Sequence, residues 1–138
     1  MCKLGDIIVI KEFKNEFGKK IKRHSFVVIN DEGDNIQGLK YDFVSNMLCS
    51  FHDESHRKRK LVFKSNYEIV EDAILTTKGN KKAGFIKADQ LYYFDKTKIN
   101  YYVVGELNPK MLNELFKLII ILMEQRKVTK VITNLKGN

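Results

Sequence analysis

The chain has little of what marks several large classes of protein. Its 138 residues hold one proline and two cysteines, and no apolar run approaches the roughly 20 residues needed to cross a bilayer as a helix. The longest, Leu118 to Met123, sits inside a helical pattern, so no membrane segment is expected. No internal repeat or low-complexity tract divides the sequence, and a single domain spanning residues 1–138 is expected, large enough to bury a core without staples. Cys2 and Cys49 show no paired spacing and no secretory leader precedes them, which argues against a disulfide scaffold and for reduced thiols in the cytoplasm. The cysteines form no Cys-x-x-Cys pair, and His24, His52 and His56 complete no recognised zinc motif, so no metal is assigned. A glycine-rich phosphate loop and a Gly-x-Ser-x-Gly elbow are both missing. No cofactor is implied.

What the chain does have is positive charge. The formal net charge is +8 and the isoelectric point about 9.4, so a polyanion is attracted before any specific contact forms. The excess gathers at Lys19, Lys20, Lys22 and Arg23 and again at Arg57, Lys58, Arg59 and Lys60. Nucleic acid therefore leads the expected partners.

Hydrophobic patterning gives a run of short strands. Gly5 to Phe13 begins at a Gly-Asp turn and is rich in β-branched residues; Ser25 to Asn30 is apolar and closes on Asp-Glu-Gly-Asp-Asn. Between them Asn15 to Lys22 reads as a basic, solvated loop. Tyr41 to Phe51 fits either period, with strand favoured. Asp53 to Lys60 has no apolar residue and reads as an exposed segment, followed by strand candidates at Leu61 to Phe63 and Tyr67 to Val70. Thr76 to Lys82 is a polar turn around Gly79-Asn80; Phe85 to Phe94 and Ile99 to Val104 complete the strands. Asn108 is a good helix N-cap with Pro109 at the first helical position. The helix that follows, to about residue 127, is apolar over more than one stripe, so its surplus surface implies a second subunit or bound partner. Val128 to Leu135 adds a short strand or remains part of a tail over 128–138. Many short strands and one terminal helix point to a mainly β fold, a small strongly curved barrel over about 4–106 capped by that helix.

Gly84-Phe-Ile-Lys-Ala-Asp-Gln-Leu-Tyr-Tyr-Phe-Asp-Lys96, followed by Val104-Gly-Glu-Leu-Asn-Pro-Lys-Met111, resembles the C-terminal half of MazF/PemK-type toxins. In that family an Asp-Gln-(Ile/Leu) strand and an Asp-Lys turn lead to Gly-x-Leu-(Ser/Asn)-Pro and a terminal helix. The likeness is strong over 83–123, fair over 4–31 and poor over 52–82. It implies an SH3-like barrel of the MazF/PemK/CcdB type and a metal-free endoribonuclease cutting single-stranded RNA. It also implies a small antitoxin partner and a homodimer built through the terminal helix and adjacent strands. The matching stretch itself reads as scaffold.

Metal-free RNA cleavage requires a base for the 2′-hydroxyl, an acid for the leaving 5′-oxygen and donors to the phosphorane. The family carries a catalytic Arg-Pro before its second apolar strand; here Arg23-His-Ser25 occupies that region and the proline is absent. Either Arg23 takes the arginine's place, or His24 does, and the two are expected to act together. Alternatively Arg23 holds a phosphate or faces solvent, and His24 is a polar strand residue. Ser50 best matches the family's Thr or Ser after the third strand, to hold a non-bridging oxygen, unless it only caps the next turn. His52 is a reserve acid or base. Lys19, Lys20, Lys22, His52 and Arg57 to Lys60 are the expected RNA-binding set. A non-catalytic barrel of the same fold, binding nucleic acid or a protein partner, is the rival reading.

Overall fold

The computed structural model describes residues 2–70 and 83–135; the expected turn at Thr76 to Lys82 lies outside them. Among the described residues, ten strands and two α-helices follow in order: β1 Asp6–Lys14, β2 Lys20–Asn30, β3 Asp34–Ile36, β4 Leu39–Tyr41, β5 Phe43–Ser50, α1 Glu54–Leu61, β6 Asn66–Ile69, β7 Gly84–Lys87, β8 Gln90–Phe94, β9 Tyr101–Glu106, α2 Pro109–Glu124 and β10 Thr129–Asn134. The fold is mainly β, as expected. The principal sheet runs β10-β8-β5-β2-β1-β9, with β7 also pairing β5 and β6 pairing β7; β3 and β4 form a separate hairpin. Among the described strands only the β10–β8 pair is parallel.

Alternation along β1 explains its continuous apolar run, because both faces of the sheet are covered. Ile7 and Val9 join Val27, Ile86 and Tyr93 in a core beneath α2, which contributes Leu115, Ile119 and Leu122. Ile8 and Ile10 point the other way into a ring-rich core with Phe13, Phe26, Phe43, Tyr92 and Phe94. Phe13 and Phe26 meet edge to face at 4.9 Å, a favourable arrangement for two ring quadrupoles. The sheet curls strongly: Asn134 on β10 reaches the end of β1, accepting from the Lys14 N–H at 2.7 Å and donating to its carbonyl at 2.8 Å. A side-chain amide thus stands where a strand ladder would close a barrel.

Several local expectations change. Asp53 to Lys60, expected as an exposed segment, instead forms most of α1, with Asp53 as N-cap accepting from the His56 N–H at 2.7 Å. Leu61 to Phe63 consequently ends that helix and is no strand. The basic loop shortens to Asn15–Lys19, since Lys20 and Lys22 already belong to β2. Phe85 to Phe94 breaks at Ala88-Asp89 into β7 and β8, and the buried Asn46 amide spans the break by donating to Lys87 O at 3.1 Å and Gln90 O at 2.9 Å. Asn108 caps α2 as expected, accepting from the Lys110 N–H at 2.8 Å. Val128 to Leu135 takes its strand alternative as β10. On α2, Ile120, Ile121 and Met123 remain about half exposed, which is the surplus apolar surface that the sequence pattern anticipates. Among the described residues no helix is long and apolar enough to cross a membrane.

Candidate active site

Strand register assembles the site. Ser25 pairs with Leu48 between β2 and β5, so His24 and Cys49, one step further on, come together. Across β5, Cys49 pairs with Phe85 and Ser50 with Gly84 of β7. On the other side Val9 of β1 pairs with Tyr102 of β9. The result is a cleft of about 710 Å³ with Ile7, Val9, Leu48, Phe85 and Val104 as apolar wall and Arg23, His24, Ser25, Cys49, Ser50, His52, His56, Lys60, Lys87 and Tyr102 as its chemistry. Arg23 enters with a positive backbone φ of 22°, a conformation costly for a residue with a Cβ, and such strain gathers at functional sites.

His24 Nε2 lies 3.5 Å from Cys49 Sγ. Burial pushes the His24 pKa down and the Lys87 ammonium pushes it further, against a hydrogen bond with the Leu48 backbone that pulls it up. Burial likewise pushes the Cys49 thiol up, with Lys87 and Lys60 opposing. Both effects favour the uncharged forms, so a neutral imidazole faces a neutral thiol at pH 7. That imidazole is free to take a proton.

A histidine pair is built at the start of α1. Asp53 caps the helix, and His52 just before the cap packs against His56 in the first turn, with ring centroids 4.4 Å apart. The His52 N–H donates to His56 Nδ1 at 3.0 Å; in the neutral ring this assigns the proton to Nε2. His56 is buried against Phe51 and Phe85. Burial, then the charges of His52, Lys60 and Arg59, push its pKa down, while Asp53 opposes.

Of the residues expected from sequence, Arg23, His24, Ser50, His52 and Lys60 converge on this one cleft. Lys20 and Lys22 line a separate cleft, and Lys19 is exposed at the hairpin tip. Arg57 turns away to carboxylates, its Nη2 2.8 Å from Glu68 and its Nη1 3.1 Å from Glu54. Lys58 and Arg59 are exposed on α1 and do not line the cleft. Cys49, His56, Lys87 and Tyr102 are additions that pattern reading missed. His56 had a local signal, an Asp N-cap three residues before it and His52 four before. Lys87 falls within the stretch read as scaffold, which thus supplies Phe85 and Lys87 to the cleft. Among the described residues no group of three His, Cys, Asp or Glu side chains is placed to hold a metal ion. The chain matches no protein-family model and no curated protein.

Proposed function

We propose that the protein is a metal-independent endoribonuclease that cuts single-stranded RNA by attack of the 2′-hydroxyl, leaving a 2′,3′-cyclic phosphate. One observation carries this reading: Arg23, His24, Ser50 and His52, chosen from sequence for that chemistry, share one cleft with two further cations, Lys60 and Lys87. The curled sheet and α2 then represent a variant of the SH3-like barrel that the MazF/PemK resemblance implies.

The roles follow from the chemistry of each group. Neutral His24 accepts the 2′-hydroxyl proton, and its lowered pKa keeps it unprotonated near pH 7. Arg23 and Lys87 stabilise charge developing on the phosphorane, and the Ser50 hydroxyl donates to a non-bridging oxygen. His56, with its proton on Nε2, donates a hydrogen bond to the leaving 5′-oxygen, which takes its proton from solvent. The exposed Ile120, Ile121 and Met123 of α2 offer the surface for a homodimer, and the basic cleft suits a small acidic antitoxin as well as RNA.

The test is incubation of purified protein with a long single-stranded RNA in EDTA. The expected result is discrete fragments ending in cyclic phosphate, lost in Arg23→Ala and His24→Ala proteins that retain the native circular dichroism spectrum. Binding without cleavage overturns the enzyme reading in favour of a non-catalytic barrel that holds nucleic acid. Absence of both binding and cleavage removes the RNA reading altogether.

A further inference from the structure

The β1–β2 hairpin, the segment entering β9 and the end of β10 enclose a second cleft of about 600 Å³. Lys11, Lys14, Lys20, Lys22 and Lys98 line it, against the single carboxylate of Glu12. Of these five lysines, only Lys20 has an acidic partner among the described residues, Glu12 at 3.9 Å, and both side chains are mostly exposed, so that contact neutralises little. Five ammonium groups crowded around one opening repel one another, and phosphates would relieve that repulsion.

The surroundings hold these lysines in place. Besides the paired Asn134–Lys14 bonds, the Thr133 hydroxyl donates to Asn15 O at 2.7 Å, tying β10 to the base of the hairpin. At the tip, Asn15 Oδ1 accepts from the Phe17 and Lys19 N–H groups at 2.9 and 3.0 Å, and Gly18 supplies the positive φ of 77° that the turn needs. This braced turn presents the Phe17 ring 86% exposed, three residues from Lys14. A basic groove beside a bare aromatic ring is the pairing that single-stranded nucleic acid uses, charge for the backbone and a face for a base.

The two clefts adjoin. Val9, Arg23 and Tyr102 line the first, while Lys11, Lys22 and Asn100 line the second on the same three chain segments. We propose that the second cleft is an accessory site for single-stranded RNA, its lysines taking phosphates that flank the cut and Phe17 stacking one base. This rests on the RNA reading of the first cleft, and it adds a site built partly by β10, beyond the helix at which the family resemblance ends.

The test is fluorescence anisotropy in EDTA with labelled RNAs of about 6 and about 20 nucleotides, one near the low end of the range of single-domain sites and one beyond its upper end. His24→Gln protein is used so that the RNA stays intact. The longer RNA is expected to bind with the steeper dependence of log K on log salt. Replacing two exposed lysines in a Lys11→Gln/Lys98→Gln variant should reduce that slope by about 1.4, at about 0.7 per phosphate contact. Phe17→Ser should weaken binding about tenfold while leaving the slope alone, as loss of stacking rather than charge requires. An unchanged slope in the lysine variant overturns the site, and unchanged affinity in Phe17→Ser overturns the stacking role. Cleavage by the native protein with an unaltered slope would leave the first cleft's reading standing and remove this one. A reduced slope without any native cleavage would leave this cleft as a single-stranded RNA site but remove the catalytic reading of the first cleft, and with it the place of these phosphates beside a cut.

Discussion

His24 and Cys49 face each other across β2 and β5 with Nε2 3.5 Å from Sγ. The arrangement resembles a nucleophilic dyad, but burial raises the thiol pKa and lowers that of the imidazole, which disfavours a thiolate–imidazolium pair. Cys49 is therefore expected to be a neighbour of the base, not a nucleophile. Cys49→Ala should retain cleavage within a few-fold, whereas His24→Ala should lose about 10²–10⁴-fold, the usual range for a general base. Iodoacetamide should alkylate Cys49 slowly at pH 7 and faster only as pH rises above the ordinary thiol range. Rapid alkylation at pH 6 would contradict the assignment.

The two depressed histidines make stability fall on the acid side. His24 and His56 both have folded-state pKa values below the ordinary 6.5, so between each folded value and 6.5 the unfolded chain binds more protons than the native one. In that window stability rises with pH. Their contribution is fully present above about 6.5 and is lost as pH falls through the folded values. Protonated His56 also gives up Nδ1 as acceptor for the His52 N–H. Thermal unfolding at a series of pH values should show Tm declining below about 6.5, and His24→Gln together with His56→Gln should flatten that part of the curve. An undiminished decline in the double variant would assign it to other groups.

Legibility from sequence tracked the range of the interactions involved. Asn108-Pro109 announced α2 because cap and first turn are adjacent in the chain, and β1 and β2 were readable from their own runs of β-branched residues. α1 was missed because its eight residues carry no apolar period. Its support is an Asp53 cap, acidic Glu54 in the first turn and Lys58 to Lys60 in the last, charges that favour a helix through its dipole. The break between β7 and β8 carried no local turn signal, since no glycine or proline interrupts Phe85 to Phe94. It is bridged by Asn46, more than forty residues away. Within the cleft, Arg23 and His24 inside β2 and Ser50 at the end of β5 were found through the family pattern, while Cys49 and Lys87 emerged only from the strand pairing around β5 and β7.

Arg57 belongs to the basic run expected to hold RNA, yet its guanidinium is committed to Glu68 and Glu54. Those hydrogen bonds push its pKa up, Glu68 foremost. Arg57→Ala is expected to loosen the α1–β6 junction, seen as a small drop in Tm, without altering the salt slope of RNA binding. Lys60→Ala, which removes a cation lining the cleft, should reduce that slope by about 0.7. The opposite pattern would place RNA on the outer face of α1.

Asn46 is fully buried, and its amide satisfies two carbonyls at the break between β7 and β8. Asn46→Ala leaves both carbonyls without that donor and should cost about 1–3 kcal/mol per unsatisfied group. Asn46→Asp should cost more, since its carboxylate oxygens would face those carbonyls. Urea unfolding midpoints test the order Asn, Ala, Asp; an alanine variant as stable as the native protein would show the bridge to be dispensable.

Gly84 sits opposite Ser50 where β7 meets β5, and a Cβ there would lie 2.0 Å from the Cys49 carbonyl oxygen. The obstructing atom is backbone, so no rotamer change relieves it. Alanine must push β7 away from β5 at the one place where Cys49, Ser50 and Phe85 are aligned. Gly84→Ala should therefore destabilise the fold by about 1–3 kcal/mol, the range for overpacking. It should also reduce cleavage at temperatures where the variant remains folded, because Ser50 loses its position. Urea unfolding reports the first effect, and kcat measured well below the variant's Tm reports the second. Loss of stability with native kcat would separate strand packing from catalysis and remove Ser50 from the site; native values of both would mean that β7 does not approach β5 this closely.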